Sequence, residues 1–66
     1  MNDATERYNN LSNEEQMDFE INALRGRLLS YQKSRELAIE TGNYKHQIEA
    51  EHGIAQTESE LRQKGA

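Results

Sequence analysis

Apolar side chains recur every three or four residues through the first half of the chain. The seam that they form consists of Met17, Ile21, Leu24, Leu28 and Tyr31, and its spacing continues at Arg35 and Ala38. A heptad pattern kept for three repeats predicts an amphipathic helix whose seam packs against another helix. Further apolar residues lie outside the seam, at Phe19, Leu29, Leu37 and Ile39. They widen the apolar surface beyond the needs of a two-stranded coiled coil, which favours a helical bundle.

Capping residues mark the ends of this helix. Ser12 is a favourable N-cap, and Glu15 occupies the position of its capping-box partner. Gly42 can adopt the left-handed conformation that ends a helix, and Asn43 can cap the next helix. A connection this short makes the two helices antiparallel neighbours. The predicted fold is one all-α domain over 1–66, a helical hairpin with an arm at 1–11, a first helix at 12–41 and a second helix at 44–64.

The second helix is poorer in apolar residues than the first. Two stripes are possible, and they consist of Tyr44, Ile48, Ala55 and Leu61, or of Ala50, Ile54, Thr57 and Leu61. Gly53 lies in its interior and weakens it relative to alanine. Glu60 and Lys64 are spaced for an ion pair along the helix. Because so thin a helix cannot cover the first one, we expect the hairpin to oligomerise into a bundle through the seam residues Met17, Ile21, Leu24, Leu28 and Tyr31.

Size and charge point the same way and exclude several functions. The chain has 66 residues, 33% of them hydrophobic, and no cysteine, so a small core must be supported without disulfides. The net charge of −4 disfavours binding to duplex nucleic acid. The chain contains neither a long apolar run nor a charged-then-apolar leader. We therefore expect no membrane span, no secretion signal and a cytoplasmic location.

Catalytic chemistry has little support in the sequence. His46, Glu49 and His52 are three residues apart in turn, which does not bring the two histidines onto one line of a helix. A solvated polar face explains them better than a metal site. No cysteine nucleophile and no glycine-rich phosphate loop are present. We expect no enzymatic activity, no metal and no cofactor.

A basic cluster in the second half of the first helix has two interpretations. It consists of Arg25, Arg27, Lys33 and Arg35. The cluster can pair with the helix dipole and with acidic residues nearby and on the second helix, or it can hold an anion where several chains meet. Tyr8, on the polar arm, either tethers the arm to the bundle or stacks on a ligand.

Two short segments resemble a known family. Residues 8–15, Tyr-Asn-Asn-Leu-Ser-Asn-Glu-Glu, resemble the opening of the helical-hairpin domain in phage anti-CBASS and anti-Thoeris proteins, and Gly53-Ile54-Ala55-Gln56-Thr57 is similar to a second segment of that family. The resemblance implies an oligomeric sponge that sequesters cyclic dinucleotide or trinucleotide immune signals in the host cytoplasm without cleaving them. It implies ligand contacts for Tyr8 and Thr57. The family's helix-one lysine is replaced here by Ala23, and its Arg-Trp pair by Ala50 and Glu51.

Two functional hypotheses follow. The first is a non-catalytic sponge, with Tyr8 stacking on the nucleotide, Arg25 or Arg27 on its phosphates, and Thr57 as a further contact. The alternative is a coiled-coil adaptor or inhibitor that binds a host protein through its exposed apolar helix face.

Overall fold

The computed structural model describes residues 10–66, which form two helices packed against each other. Helix α1 spans Asn13–Thr41 and helix α2 spans Tyr44–Gln63. Cross-helix contacts run from Glu20 near the start of α1 to Lys64 just after α2, so the helices are antiparallel. The predicted all-α hairpin is confirmed, and Gly53 does not break α2. Most of the predicted arm, including Tyr8, lies outside the described residues.

The predicted capping box begins α1. The backbone N–H of Glu15 donates to Ser12 Oγ at 3.1 Å, and the N–H of Ser12 donates to Glu15 Oε1 at 3.3 Å. Each bond satisfies a donor that the first turn of a helix leaves without a partner. Ser12 is therefore the cap, and the helix proper starts one residue later than predicted.

The turn between the helices is built from two residues. Gly42 has a φ of 72°, the left-handed conformation that glycine adopts without steric cost. The N–H of Asn43 donates to the carbonyl of Ala38 at 2.8 Å, which satisfies the end of α1. Asn43 Oδ1 then accepts from the N–H of His46 at 3.3 Å and caps α2. The chain reverses within these two residues, which fixes the hairpin.

The core between the helices contains one buried leucine from each helix and several small residues, most of them on α2. The buried residues are Leu24 and Ala38 of α1, and Ala50, Gly53, Thr57 and Leu61 of α2. This agrees with the second of the two predicted stripes, in which Ile54 is half-buried. The stripe through Tyr44 and Ile48 was wrong, because both side chains are exposed.

The Tyr31 ring of α1 packs directly on the backbone of α2 at Gly53. A Cβ atom built there would lie 2.6 Å from Cε1 and Cζ of the Tyr31 ring. Thr57 is only 2% exposed, and its hydroxyl donates to the carbonyl of Gly53 at 2.7 Å. The buried hydroxyl thereby has a hydrogen-bond partner inside the interface. Gly53 has no side chain, so the Tyr31 ring can contact its backbone.

Ion pairs between the helices flank this core. Lys64 Nζ lies 2.7 Å from Glu20 Oε2, and Arg27 Nη1 lies 3.8 Å from Glu60 Oε2. The predicted pair between Glu60 and Lys64 along α2 is replaced, because each side chain turns to a partner on α1. All four side chains are partly exposed, so water screens these pairs and each contributes little to stability. Within residues 10–66, neither helix is both long enough and apolar enough to span a bilayer.

Replacing Gly53 with alanine tests the close approach. Because the new methyl group would overlap the Tyr31 ring, we expect Gly53→Ala to lower the free energy of unfolding by about 1–3 kcal/mol. Chemical denaturation monitored by circular dichroism measures this change. In a Tyr31→Ala background the same substitution should instead stabilise α2, by up to about 1 kcal/mol, because only the helix propensity remains. An equal loss in both backgrounds would contradict the contact.

Candidate functional site

Helix α1 carries most of the apolar surface that the hairpin leaves uncovered. Phe19, Leu29, Leu37 and Ile39 are 57%, 60%, 61% and 50% exposed. On α2, the large apolar side chains that remain exposed are Tyr44 and Ile48. More large apolar side chains are thus exposed than are buried in the described residues, which is unusual for a soluble monomer when such side chains share a face.

The seam itself faces α2. Leu24 is buried within one chain, and Ile21, Leu28 and Tyr31 are half-buried. Met17, at the start of the seam, is exposed. The seam residues therefore form the internal contact of the hairpin, and a second chain at the seam stays a prediction. The surplus apolar surface that the sequence indicates lies outside the seam.

The two helices differ in length, which affects the end of the hairpin opposite the turn. Helix α1 has 29 residues and α2 has 20, so the first turns of α1 extend beyond the end of α2. Met17, Phe19 and Ala23 line a shallow cleft there, together with the charged side chains of Arg27, Glu60 and Lys64. The cleft thus combines apolar side chains of α1 with charged side chains from both helices.

A second shallow cleft lies near the turn. Tyr31, Ser34 and Leu37 of α1 line it, as do His46 and Glu49 of α2. His52 lines a different depression, so the two histidines do not converge. Nowhere in residues 10–66 do three or more histidine or acidic side chains lie where they could hold a metal ion.

The basic cluster is partly neutralised by α2. Arg27 pairs with Glu60, and Arg35 Nε lies 3.0 Å from Glu51 Oε2. The hydrogen bond from Arg35, with a further one from Gln47, holds the pKa of the Glu51 carboxyl below its usual range. For these two arginines the structure favours pairing with the acidic second helix. Arg35, at a seam position, therefore reaches across to α2.

The predicted ligand residues are not brought together. Tyr8 lies outside the described residues. Arg25 and Arg27 are two residues apart on one helix, which places them about 160° apart around its axis. Thr57 is buried between the helices with its hydroxyl satisfied. A site using all of these side chains would need a second chain or an opened hairpin.

The residue that sequence reasoning missed is Gly53, which was interpreted only as a weakness of α2. The signal was present, because Ala50, Gly53 and Thr57 are small and recur at helical spacing. Such a pattern allows two helices to approach closely, and a large residue opposite it completes the contact. Only the register of the hairpin identifies that residue as Tyr31.

Comparison with protein families, with curated proteins and with solved structures finds no match to this chain. The class of protein is therefore defined by the fold and the surface alone. It is a small two-helix hairpin with a closely packed interior and an apolar surface on α1.

The pKa of Glu51 provides a test of the Arg35 contact. A lowered pKa in the folded state means that the carboxylate stabilises the fold above its unfolded pKa, and that this stabilisation is lost as the pH falls through the folded pKa. In an NMR titration we expect the Glu51 midpoint to lie below 4.5 and to rise towards that value in Arg35→Gln. Arg25→Gln is the matched control and should leave it unchanged. A midpoint that Arg35→Gln does not move would contradict the contact.

Proposed function

We propose that this protein is a non-catalytic helical-hairpin module that works by self-association through exposed apolar side chains of α1. The observation that carries the proposal is the exposure of Phe19, Leu29 and Leu37 at 57–61% in a single chain. More than half of the surface of each side chain stays in water in a single chain, so another surface is needed to cover it.

The size of the core supports association. The buried hydrophobic residues in the described part of the chain are Leu24, Ala38, Ala50 and Leu61, and two of these are alanines. Fully burying one leucine or phenylalanine side chain stabilises a protein by about 1.5–3 kcal/mol. Burying even two of the exposed side chains of α1 would therefore add a free energy that is large compared with the total folding stability of so small a domain.

A cyclic oligonucleotide sponge is the second candidate, and the remaining cations of the basic cluster favour it. Arg25 and Lys33 are exposed, and neither forms an ion pair within residues 10–66. Exposed guanidinium and ammonium groups that form no ion pair can donate hydrogen bonds to phosphate. In an oligomer, cations from several chains would bind the phosphates of one ligand together.

The adaptor hypothesis uses the same exposed apolar side chains of α1, which would bind a host protein helix instead of a second copy.

Analytical ultracentrifugation over a range of concentrations tests self-association. We expect a mass above that of one chain, which falls on dilution, and we expect Leu37→Glu to shift the equilibrium to the monomer because it places a charge in the contact. Tyr44→Glu, on α2, is the control and should leave the mass unchanged. A folded species that sediments as a single chain at every concentration would reject the proposal.

Thermal shift against cyclic dinucleotides and trinucleotides tests the sponge. A ligand that binds the folded state raises the melting temperature by mass action, by an amount that grows with its concentration. We expect the rise to disappear in Tyr8→Ala and in the double variant Arg25→Ala, Lys33→Ala. Tyr44→Ala is the control aromatic substitution and should retain the shift. If no cyclic nucleotide moves the melting temperature of the parent protein, the sponge is excluded for those ligands.

A further inference from the structure

The chain enters α1 at the foot of the cleft that lies opposite the turn. Nine residues precede Asn10. The backbone turns at Asn10 and bends at Leu11, and the helix begins at Asn13. The side chain of Gln16 reaches back, and its Nε2 donates to the carbonyl of Leu11 at 3.2 Å. Leu11 is thereby held against the first turn of α1, where it is half-buried.

Gln16 lies on the same face of α1 as the cleft. Glu20, Ala23 and Arg27, which line the cleft, follow Gln16 at intervals of four, three and four residues. Residues at this spacing lie one above another along a helix. The hydrogen bond from Gln16 therefore holds Leu11 on the cleft side of α1, and the segment that precedes Leu11 starts from there.

Helix α2 does not cover the apolar side chains at this end of α1. It ends at Gln63, whereas α1 continues beyond that level towards Asn13. Met17 and Phe19 both line the cleft, and they are 42% and 57% exposed. A segment of the same chain that arrives at the foot of the cleft can shield part of this apolar surface without a second copy.

The length of chain before Leu11 is sufficient to reach the cleft. Tyr8 is the one aromatic residue in the first eleven, and it is three residues from Leu11. Three residues span at most about 10 Å. Measured from Gln16 along the helix axis, Phe19 is about 4.5 Å away and Ala23 is about 10.5 Å away. Both are therefore within reach of the Tyr8 ring.

We propose that residues 1–9 fold back over this cleft, and that the Tyr8 ring packs there on Ala23 and on the adjoining edge of Phe19. The lining of the cleft suits a tyrosine, because apolar side chains lie beside the charged groups of Glu20 and Lys64. The ring contacts the apolar part while its hydroxyl stays among polar groups and water. Of the two roles that the sequence leaves open for Tyr8, this is the tether.

This docking goes beyond the proposed self-association and does not depend on it. It covers one edge of Phe19 and leaves the rest of that side chain, with Leu29 and Leu37, to a second copy. A ligand that stacks on Tyr8 would have to displace the ring from the cleft. The docking and the self-association can therefore fail separately.

A double-mutant cycle between Tyr8 and Ala23 tests the docking, with the melting temperature measured by circular dichroism at one fixed chain concentration. We expect Tyr8→Ala to lower the melting temperature by about 4–8 °C. Ala23→Glu should lower it as well, because a charge takes the place of the methyl group beneath the ring. In the Ala23→Glu background, Tyr8→Ala should have almost no further effect, since the contact is already lost.

Three further variants serve as matched controls. Tyr8→Phe keeps the ring and should melt close to the parent protein. Tyr44→Ala removes an exposed ring of α2, and Ala55→Glu adds the same charge at an exposed alanine of α2. Neither residue lines the cleft, so both variants should also melt close to the parent. A Tyr8→Ala variant that melts with the parent, or effects of Tyr8→Ala and Ala23→Glu that add in full, overturns the docking.

Nuclear Overhauser effects between the ring protons of Tyr8 and the methyl protons of Ala23 measure the contact directly. In a mixture of isotope-labelled and unlabelled chains, filtered spectra separate contacts within one chain from contacts between two chains. We expect the contact within one chain. A contact that appears only between chains means that the segment docks on a second copy, and it overturns the proposal, as does the absence of any contact.

Discussion

The contact between the Tyr31 ring and the bare backbone of Gly53 sets the distance between the two helices. With any side chain at position 53, the ring would have to move, because a Cβ would lie 2.6 Å from it. The small residues on either side, Ala50 and Thr57, extend the same close approach along α2. Dispersion attraction falls off steeply with separation, so this proximity stabilises a hairpin that buries few large side chains.

The small side chains of α2 also leave apolar side chains of α1 exposed. A helix that presents small residues packs closely but covers little, and it is nine residues shorter than its partner. Phe19, Leu29 and Leu37 consequently stay in water when the chain is alone. The close packing inside the hairpin and the exposed apolar side chains of α1 are thus two consequences of one sequence feature, namely the small side chains of α2.

The ion pairs between the helices lie at the edges of the interface and not in its centre. The ion pairs Arg27–Glu60, Arg35–Glu51 and Lys64–Glu20 all join the two helices. They are partly exposed and contribute little stability each, but they oppose a slip of one helix along the other because a shifted register would separate them. They also occupy half of the basic cluster, so anion binding by a single chain would fall to Arg25 and Lys33.

Much of the fold was determined by local signals in the sequence. The capping box at Ser12 and Glu15, the turn at Gly42 and Asn43, and the heptad spacing of α1 act within a few residues, so the hairpin and its boundaries could be predicted to within a residue. The tertiary structure alone decided which stripe of α2 faces α1, that Gly53 is a packing site, and that Glu60 and Lys64 pair across the hairpin. It also assigned the seam to the interior and left apolar side chains outside the seam, such as Phe19, Leu29 and Leu37, exposed. These features depend on the register between the two helices. That register is set by many weak contacts between residues far apart in the chain, and no local sequence pattern specifies those contacts.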